Sequence, residues 1–562
     1  MSHRHSELLR LLRLAQAGQP EQALTQAREH LDQGETLGIL YVQAVALHCL
    51  GNHKAAADAA ARMLDRAATA GINAEATIGT STIGTATVGT ATVGTAIDSG
   101  AAGDVQTAGW RSIALSFRAI QHMLVNESNP EAFDLETSLQ DLAQAEVLLS
   151  NDVSDAFVLA QAHTNLAHGY HELRLYELAL PHYEAASEVS LAHTGEVPPL
   201  TAVTSQLNLT TLHLNWSGEL HRIRESDRAR EKSVRAAQHA ALAREYAMAQ
   251  DAAPYAASAS LLAACADSTG DPEEVVVRIR QGLEAVQGQG FRESRVFALP
   301  FLAWALDRAG RLPEALEIAT EACEALTENA KWLLTSAAYH TRAALLARSG
   351  SESASAGLAY GDELAKTMWR ERLRTLYTAR SGQILERVTL ERDRVAVLAF
   401  TDALTGVGNR RAFDVRVAEL SRSTGGETDV AMIVVDVDRL KAVNDAGGHE
   451  AGDRALQAVA NALTGQVRAG DLVARLGGDE FVAVVEGVDR GDAAELAERM
   501  VEAVSGRLGS QVTVSVGIAT GPASEAGVGL LHAADRAMYA AKKANRVSKS
   551  DAEAQAAHSV RA

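Results

Sequence analysis

One spacing of small residues recurs along the first two thirds of this 562-residue chain and restricts what it can fold into. In the stretch NLAHGYHELRLYELALPHYEAA it falls on Leu166, Ala167, Tyr170, Ala179, Tyr183 and Ala186. It returns at Leu302, Ala303, Leu306, Ala315, Ala319 and Ala322, with Gly310 between the two halves. A third copy has Leu262, Ala263, Ala266 and Val275 around Gly270, and weaker copies surround Gly18 and Gly51. Small residues at these positions let two helices approach closely, while larger ones fill the groove to the next pair. Such a unit buries its apolar face only against neighbours, so a run of them stacks into a curved solenoid with a concave face. An alanine-rich bundle would share the small residues; the recurring glycine turn favours the solenoid.

The spacing resembles that of the tetratricopeptide-repeat family, whose unit is a helix–turn–helix. The resemblance implies an all-α helical-repeat solenoid over residues 1–360, with its concave face open to a protein or peptide partner. Residues 77–96 break the pattern with a five-residue tandem, TIGTS-TIGTA-TVGTA-TVGTA. Its β-branched residues and regular glycines suit neither a helix nor a packed strand. Residues 72–107 therefore read as a low-complexity insertion forming a disordered loop. Residues 361–400 read as a charged linker or signalling helix, with Leu373, Leu376, Ile384, Val388, Val395 and Leu398 in an apolar stripe. Two packings satisfy that stripe: a coiled-coil seam between two chains, or a last helix laid on the solenoid. Gly382 weakens the segment as one uninterrupted rod.

The formal net charge of −19 argues against DNA binding and against adsorption on anionic membranes. Cys49, Cys265 and Cys323 lie far apart with no CxxC pair, which fits small buried hydrophobes in a reducing compartment. The N-terminus lacks the apolar run of a signal peptide, and charge interrupts every apolar run before it reaches membrane-spanning length. A cytoplasmic protein is expected.

From about residue 401 the texture changes. AMIVVDVD, DLVARL, FVAVVE and QVTVSVGIAT read as strands among amphipathic helices, and residues 549–562 as a disordered tail. Asp436 closes an apolar strand, where a hard oxygen ligand suits Mg²⁺. Gly477-Gly478-Asp479-Glu480 joins two short strands; the glycines permit positive φ and let a nucleotide lie on bare backbone. Between Asn444 and Asp453, an amide, the His449 imidazole and a carboxylate flank a glycine-rich turn. A carboxylate such as Asp453 can accept from guanine N1–H and N2–H₂, and an amide such as Asn444 can satisfy the remaining groups. An Asx-turn and a helix cap would also account for Asp445 and Gly452.

Taken in order, these motifs resemble the GGDEF family of diguanylate cyclases over residues 401–548. They run from Asp402 through Asn409 to Phe413, then Asp436-Val-Asp438-Arg-Leu-Lys441, Asn444-Asp445, Gly448-His449 and Gly452-Asp453. Arg475-Leu-Gly-Gly-Asp-Glu-Phe481, Val514-Ser-Val-Gly517-Ile518 and Ala534-Asp535 through Tyr539 with Lys542 complete them. The resemblance implies a palm-like α/β fold, an antiparallel sheet flanked by helices. It implies GTP as substrate, cyclic di-GMP as product, and two Mg²⁺ or Mn²⁺ ions held by Asp436, Asp479 and the Val437 carbonyl. Asp479 accepts the ribose 3′ proton, with Glu480 supporting the metal or the base. Lys441, Lys542 and Arg546 face the triphosphate, Gly477 and Gly478 the nucleotide, and Asn444 and Asp453 the guanine, with His449 nearby. Backbone amides after Asp438 cradle the phosphates. One GTP per domain implies a homodimer for catalysis. Arg468 and Asp471 stand at the family's RxxD product-inhibition site, with Arg499 as a second arginine. Leu440, Asn545 and Val547 depart from the family pattern. A catalytically silent cyclic di-GMP receptor, or a repeat scaffold for another protein, is the competing reading.

Overall fold

The computed structural model describes residues 3–16, 19–31, 36–77, 101–126, 134–149, 153, 155–287, 292–327, 331–422, 429–468, 470–509, 512–523 and 527–559. One compact unit comprises Met1–Ala70 and Asp104–Arg387, and a second includes Val388–Ala562.

The first unit is helical: α1 (His3–Gln16), α2 (Pro20–Leu31), α3 (Leu37–Cys49), α4 (His53–Thr77), α5 (Ala101–Asn126), α6 (Leu135–Leu149), α7 (Ala156–Glu172) and α8 (Tyr176–Ala192). It continues with α9 (Leu200–Arg222), α10 (Ser226–Ala249), α11 (Ala253–Ala266), α12 (Pro272–Ala285), α13 (Arg292–Arg308), α14 (Leu312–Glu324), α15 (Trp332–Arg348) and α16 (Glu352–Phe400), whose residues from Val388 on belong to the second unit. From α6 to α15 each helix packs on the next, and α7, α9, α11, α13 and α15 also touch in sequence. The unit is therefore a stack of helical hairpins. The recurrent residues Leu166, Ala167, Tyr170, Ala179, Tyr183 and Ala186 are at most 1% exposed. Small residues set the spacing: a Cβ on Gly282 of α12 would stand 3.0 Å from Leu261 Cα on α11.

The hairpins share one turn chemistry. Gly51, Arg174, Arg224, Asp251, Gly310 and Gly350 all have positive φ. The residue after each donates its N–H five residues back: Asn52 to Leu47, Leu175 to Tyr170, Glu225 to Leu220, Ala252 to Ala247, Arg311 to Leu306, Ser351 to Leu346. This is a Schellman closure, in which the left-handed residue satisfies the last helical carbonyls. Half of these positions carry Arg or Asp, so a search keyed to glycine misses the α9–α10 hairpin. Gly270 turns differently, on its own N–H and the Asp267 carboxylate at 2.7 Å.

Three expectations are corrected here. Helix reaches Thr77 on one side and resumes at Ala101 on the other, so both ends of the 72–107 insertion are helical. The rest of that stretch, 78–100, lies outside the described residues. Residues 361–400 are helical as expected, but the helix starts earlier, at Glu352, and its 49 residues run through Gly382 unbroken. A Cβ on Gly382 would lie 4.0 Å from that of Ala143, so the glycine sits on a packed face. And the three thiols are not uniformly buried: Cys49 is exposed, Cys265 buried and Cys323 between the two, all free.

The stripe on α16 divides. Leu376, with Trp369 and Ala379, joins the core around Tyr170, Tyr176 and Tyr183, and Leu373 packs against it. Ile384, Val388, Val395 and Leu398 are 55–65% exposed.

The second unit has a four-stranded antiparallel sheet in the order β2-β3-β1-β4. Its elements are α17 (Arg410–Arg422), β1 (Asp429–Asp438), α18 (Leu440–Gly447), α19 (His449–Thr464), β2 (Leu472–Gly477), β3 (Glu480–Glu486), α20 (Arg490–Leu508), β4 (Thr513–Pro522) and α21 (Val528–Ser559). β1 is central and buried on both faces, which is why it reads as an unbroken apolar run. Alternation sends Ile433, Val435 and Val437 to a core with α19 and α20. Val430, Met432 and Val434 face α17 and α21. Gly517 lets α21 approach: a Cβ there would fall 2.2 Å from Ala534 O and Met538 N. α21 continues to Ser559, so the expected disordered tail is helical over most of its length, as its alanines and charged residues favour. Among the described residues no helix is long and apolar enough to cross a membrane.

Candidate active site

The site gathers at the end of β1. In register, Asp436 stands opposite Glu480 of β3 on one side and Ser515 of β4 on the other. Its side chain points away from the odd-numbered core, and it is only 6% exposed. Lys542 of α21 donates to Asp436 Oδ1 at 2.5 Å. The close approach at Gly517 explains that placement. It seats α21 on β4, and Lys542 follows Met538 by one helical turn.

The hairpin tip is pinned to the same place. Val437 N–H donates to the Asp479 carbonyl at 3.0 Å. Gly478, at φ +55, makes the turn, and the register slips between Arg475 and Gly477. Val437 is 1% exposed, its side chain in the core, so only its backbone is available to a ligand.

The electrostatics show an excess of carboxylate. Burial holds the Asp436 carboxyl above its usual range; Lys542 opposes this, and Asp479 and Asp438 reinforce it. Glu480 is pushed up by desolvation and by Asp436, Asp479 and Asp535, against a smaller pull from Arg410. Among the described residues no three His, Cys, Asp or Glu side chains are drawn into a ready metal cluster. The donor set nonetheless fits Mg²⁺, which takes one or two carboxylates and completes its sphere with water and substrate phosphate.

The segment expected to read the base lies on α18 and α19. Arg439, at φ +62, turns the chain from β1 directly into α18, whose N-terminus has no side-chain cap. Asn444 Oδ1 is buried with no hydrogen-bond partner among the described residues. It lies over Gly452, where a Cβ would approach to 1.9 Å. Gly452 is therefore neither cap nor turn: it makes room for the Asn444 amide. Lys441, His449 and Asp453 are exposed, and no bond to another described residue ties them down. Lys542, expected on the triphosphate, pairs with the buried Asp436. The Arg546 side chain lies outside the described residues.

Arg468 and Asp471 form a closed turn. Arg468 N–H donates to Asp471 Oδ2 at 3.1 Å, and Asp471 N–H returns to the Arg468 carbonyl at 3.1 Å. The Arg468 guanidinium also bonds the Glu486 carbonyl, while Asp471 is 5% exposed. Arg499 is exposed on α20, with no bond to either among the described residues.

Sequence reasoning gave no role to the pair that braces the hairpin. Arg475 donates to the Gly478 carbonyl through Nε at 3.0 Å and Nη2 at 2.6 Å, and to Asp402 at 3.2 Å. Asp402 is held in turn by Thr405, and Gly408 bridges to β2 through Val473 and Arg475. Both residues stand inside the quoted motifs; their pairing is long-range and left no local signal. Asp438 was likewise unassigned, and it accepts from Thr513 and Ser515 at 2.9 Å.

A palm-like antiparallel sheet with carboxylates at a strand end and a Gly-Gly-Asp-Glu hairpin beside it defines a class. Residues 399–548 match the family described as diguanylate cyclase, GGDEF domain, and this part of the chain is a GGDEF domain. Diguanylate cyclase TpbB of Pseudomonas aeruginosa is 38% identical over 176 residues, 30% of this chain and 40% of that protein. Response regulator PleD of Caulobacter vibrioides is 38% identical over 164 residues, 27% of this chain and 36% of that one. The chain thus spans less than half the length of these relatives. Among solved structures, the coiled coil and GGDEF domain of DgcB from Caulobacter crescentus, in complex with c-di-GMP, is 30% identical. It covers 30% of this chain and 93% of that one at a TM-score of 0.28.

Proposed function

We propose that this protein is a diguanylate cyclase that joins two GTP into cyclic di-GMP and releases two pyrophosphates. The observation that carries the reading is the buried Asp436 between Lys542 and the Asp479–Glu480 tip, inside a GGDEF domain. Asp436, Asp479 and the Val437 carbonyl are the groups that would hold Mg²⁺ or Mn²⁺, two ions in a complete site. Bound there, such ions stabilise charge on the attacking and leaving oxygens.

The chain's own residues do the rest. Asp479 accepts the ribose 3′ proton and Glu480 supports it. The uncapped start of α18 presents backbone N–H groups to phosphate, as helix N-termini do. Lys441, Lys542 and Arg546 add positive charge, and Gly477 and Gly478 leave bare backbone for the nucleotide. The orphaned Asn444 oxygen accepts from guanine together with Asp453, which has no side-chain partner among the described residues, with His449 beside them. Catalysis is mainly positioning and charge stabilisation. Each domain holds one GTP, so two must face each other in a homodimer. The exposed stripe from Ile384 to Leu398 supplies an apolar seam for it. Cyclic di-GMP returns to Arg468 and Asp471, with Arg499, as an inhibitor; the closed turn there is already formed. The helical unit, with its protein or peptide partner, regulates the enzyme through α16.

The test is direct. Incubated with GTP and Mg²⁺, the full chain yields cyclic di-GMP, resolved chromatographically. Asp436→Ala and Asp479→Ala each lower turnover on the order of a hundredfold or more. Unconsumed GTP with tight cyclic di-GMP binding would replace the enzyme by a receptor.

A further inference from the structure

The helical unit contains a cavity of about 370 Å³ that the cyclase reaction does not use. That size is within the range of small-molecule sites. Its walls come from the end of α9, from α15 and from the first half of α16.

Charge on these walls is unbalanced. Arg174 is neutralised by Glu219, which accepts from its Nε at 2.8 Å, and its guanidinium lies 4.5 Å over the Trp332 ring. Arg222 has no carboxylate within salt-bridge reach among the described residues, Glu219 acting on it only from farther off; its guanidinium donates to Ser336 Oγ at 2.6 Å. Burial lowers its pKa, and a guanidinium remains charged at neutral pH all the same. His340, pulled down to about 4 by burial and by Arg222, adds no charge there at neutral pH. A partly desolvated guanidinium with one neutral partner has donors to spare for an anion.

The remaining lining is apolar and flat. Trp332, Tyr339 and Trp369 are the aromatic residues of the lining; Trp369 is only 8% exposed, with the Arg372 guanidinium 4.4 Å over its ring, so it offers an edge of the wall. On α16, Gly357 and Gly361 lie one turn apart, and a Cβ on either would meet nothing within 4 Å. Glycine is the least favourable residue in a helix interior apart from proline. Two of them on the cavity side leave volume that alanine or leucine would occupy.

We propose that this cavity binds a small organic anion with a flat apolar body, its carboxylate on Arg222 and its ring against Trp332 and Trp369. An occupant would touch α16, the helix that continues to Phe400 at the head of the catalytic unit. The inference does not depend on the cyclase reading.

The experiment uses the full chain and three probes: benzoate, phenylacetate and indole-3-acetate. Calorimetry and quenching of tryptophan fluorescence should show saturable binding of at least one. Its neutral amide should bind about tenfold more weakly or worse, because a charge-assisted bond is lost. Arg222→Gln should weaken the acid to the level of the amide. Gly361→Leu, which fills the cavity without touching a charge, should abolish binding while the circular dichroism spectrum stays unchanged. No saturable binding by any of the three acids would overturn the proposal. So would equal affinity for acid and amide, or wild-type affinity in Gly361→Leu.

Discussion

Asp436 and Glu480 are both held above the usual carboxylate range, and the sign of that shift sets how the free protein responds to pH. The folded state prefers their protonated forms. Their contribution to stability is therefore complete in acid and is lost as pH rises through the raised values. Glu480→Gln should raise the unfolding midpoint of metal-free protein at about pH 7, gain nothing at about pH 4, and blunt the rise that Mg²⁺ produces in the wild type. Thermal unfolding at the two pH values, with and without Mg²⁺, checks it; a lower midpoint for the variant at neutral pH would refute the repulsion. Arg468 makes a separate prediction. Its guanidinium is 64% exposed at the mouth of a turn that Asp471 closes. Arg468→Ala should leave the initial rate intact but remove the slowing as product accumulates, read from full progress curves.

Elements are positioned by a few contacts whose absence would move a whole helix. α21 reaches Asp436 only because β4 offers Gly517. Gly517→Ala would put a methyl against the backbone of Ala534 and Met538, where neither atom can yield cheaply. A loss of about 1–3 kcal/mol is expected, with a fall in turnover as Lys542 withdraws; denaturant unfolding and cyclase rate measure the two. The hairpin turns give a paired test. Gly310→Ala should cost about 1–2 kcal/mol, because alanine resists the left-handed region. Asp251→Gly, at the equivalent turn, should be neutral or slightly stabilising, since it removes the same strain. Equal losses in both would show that the left-handed residue does not set these turns.

At the scale of the molecule, α16 has two characters. Up to Gln383 it is bound into the helical unit: Arg372 donates to the Arg174 carbonyl and pairs with Glu177, and Gln383 donates to Tyr170 Oη at 2.9 Å. Beyond it, Ile384, Val388, Val395 and Leu398 leave apolar surface open. Isolated exposed hydrophobes are ordinary, but four at helical spacing form a seam. If the proposed homodimer forms through this seam, Val395→Asp with Leu398→Asp should turn it to monomer by light scattering and cut cyclase turnover. GTP affinity per site should be unchanged, because neither residue is among those proposed to hold the nucleotide. A variant that stays dimeric and active would place the catalytic interface elsewhere.

Local chemistry made much of this legible in the chain itself. The strand-and-helix order of the last unit follows from period-two and period-3.6 patterning, and the Gly-Gly-Asp-Glu tip from φ values that glycine tolerates. The helical stack followed from alanine spacing. What the sequence does not encode locally is which distant groups meet. Lys542 reaching Asp436, Arg475 bracing the hairpin through Asp402, and Gly452 making room for Asn444 are contacts between separate elements. No periodicity records them. The left-handed turns at Arg174, Arg224 and Asp251 escaped notice because helix packing on both sides imposes a backbone that these residues do not prefer alone. The same holds for Gly382: its intrinsic propensity argues for a break, and the neighbouring helix decides against one. Propensity and pattern are properties of a window of residues; the candidate active site and the cavity exist only where folded surfaces come together.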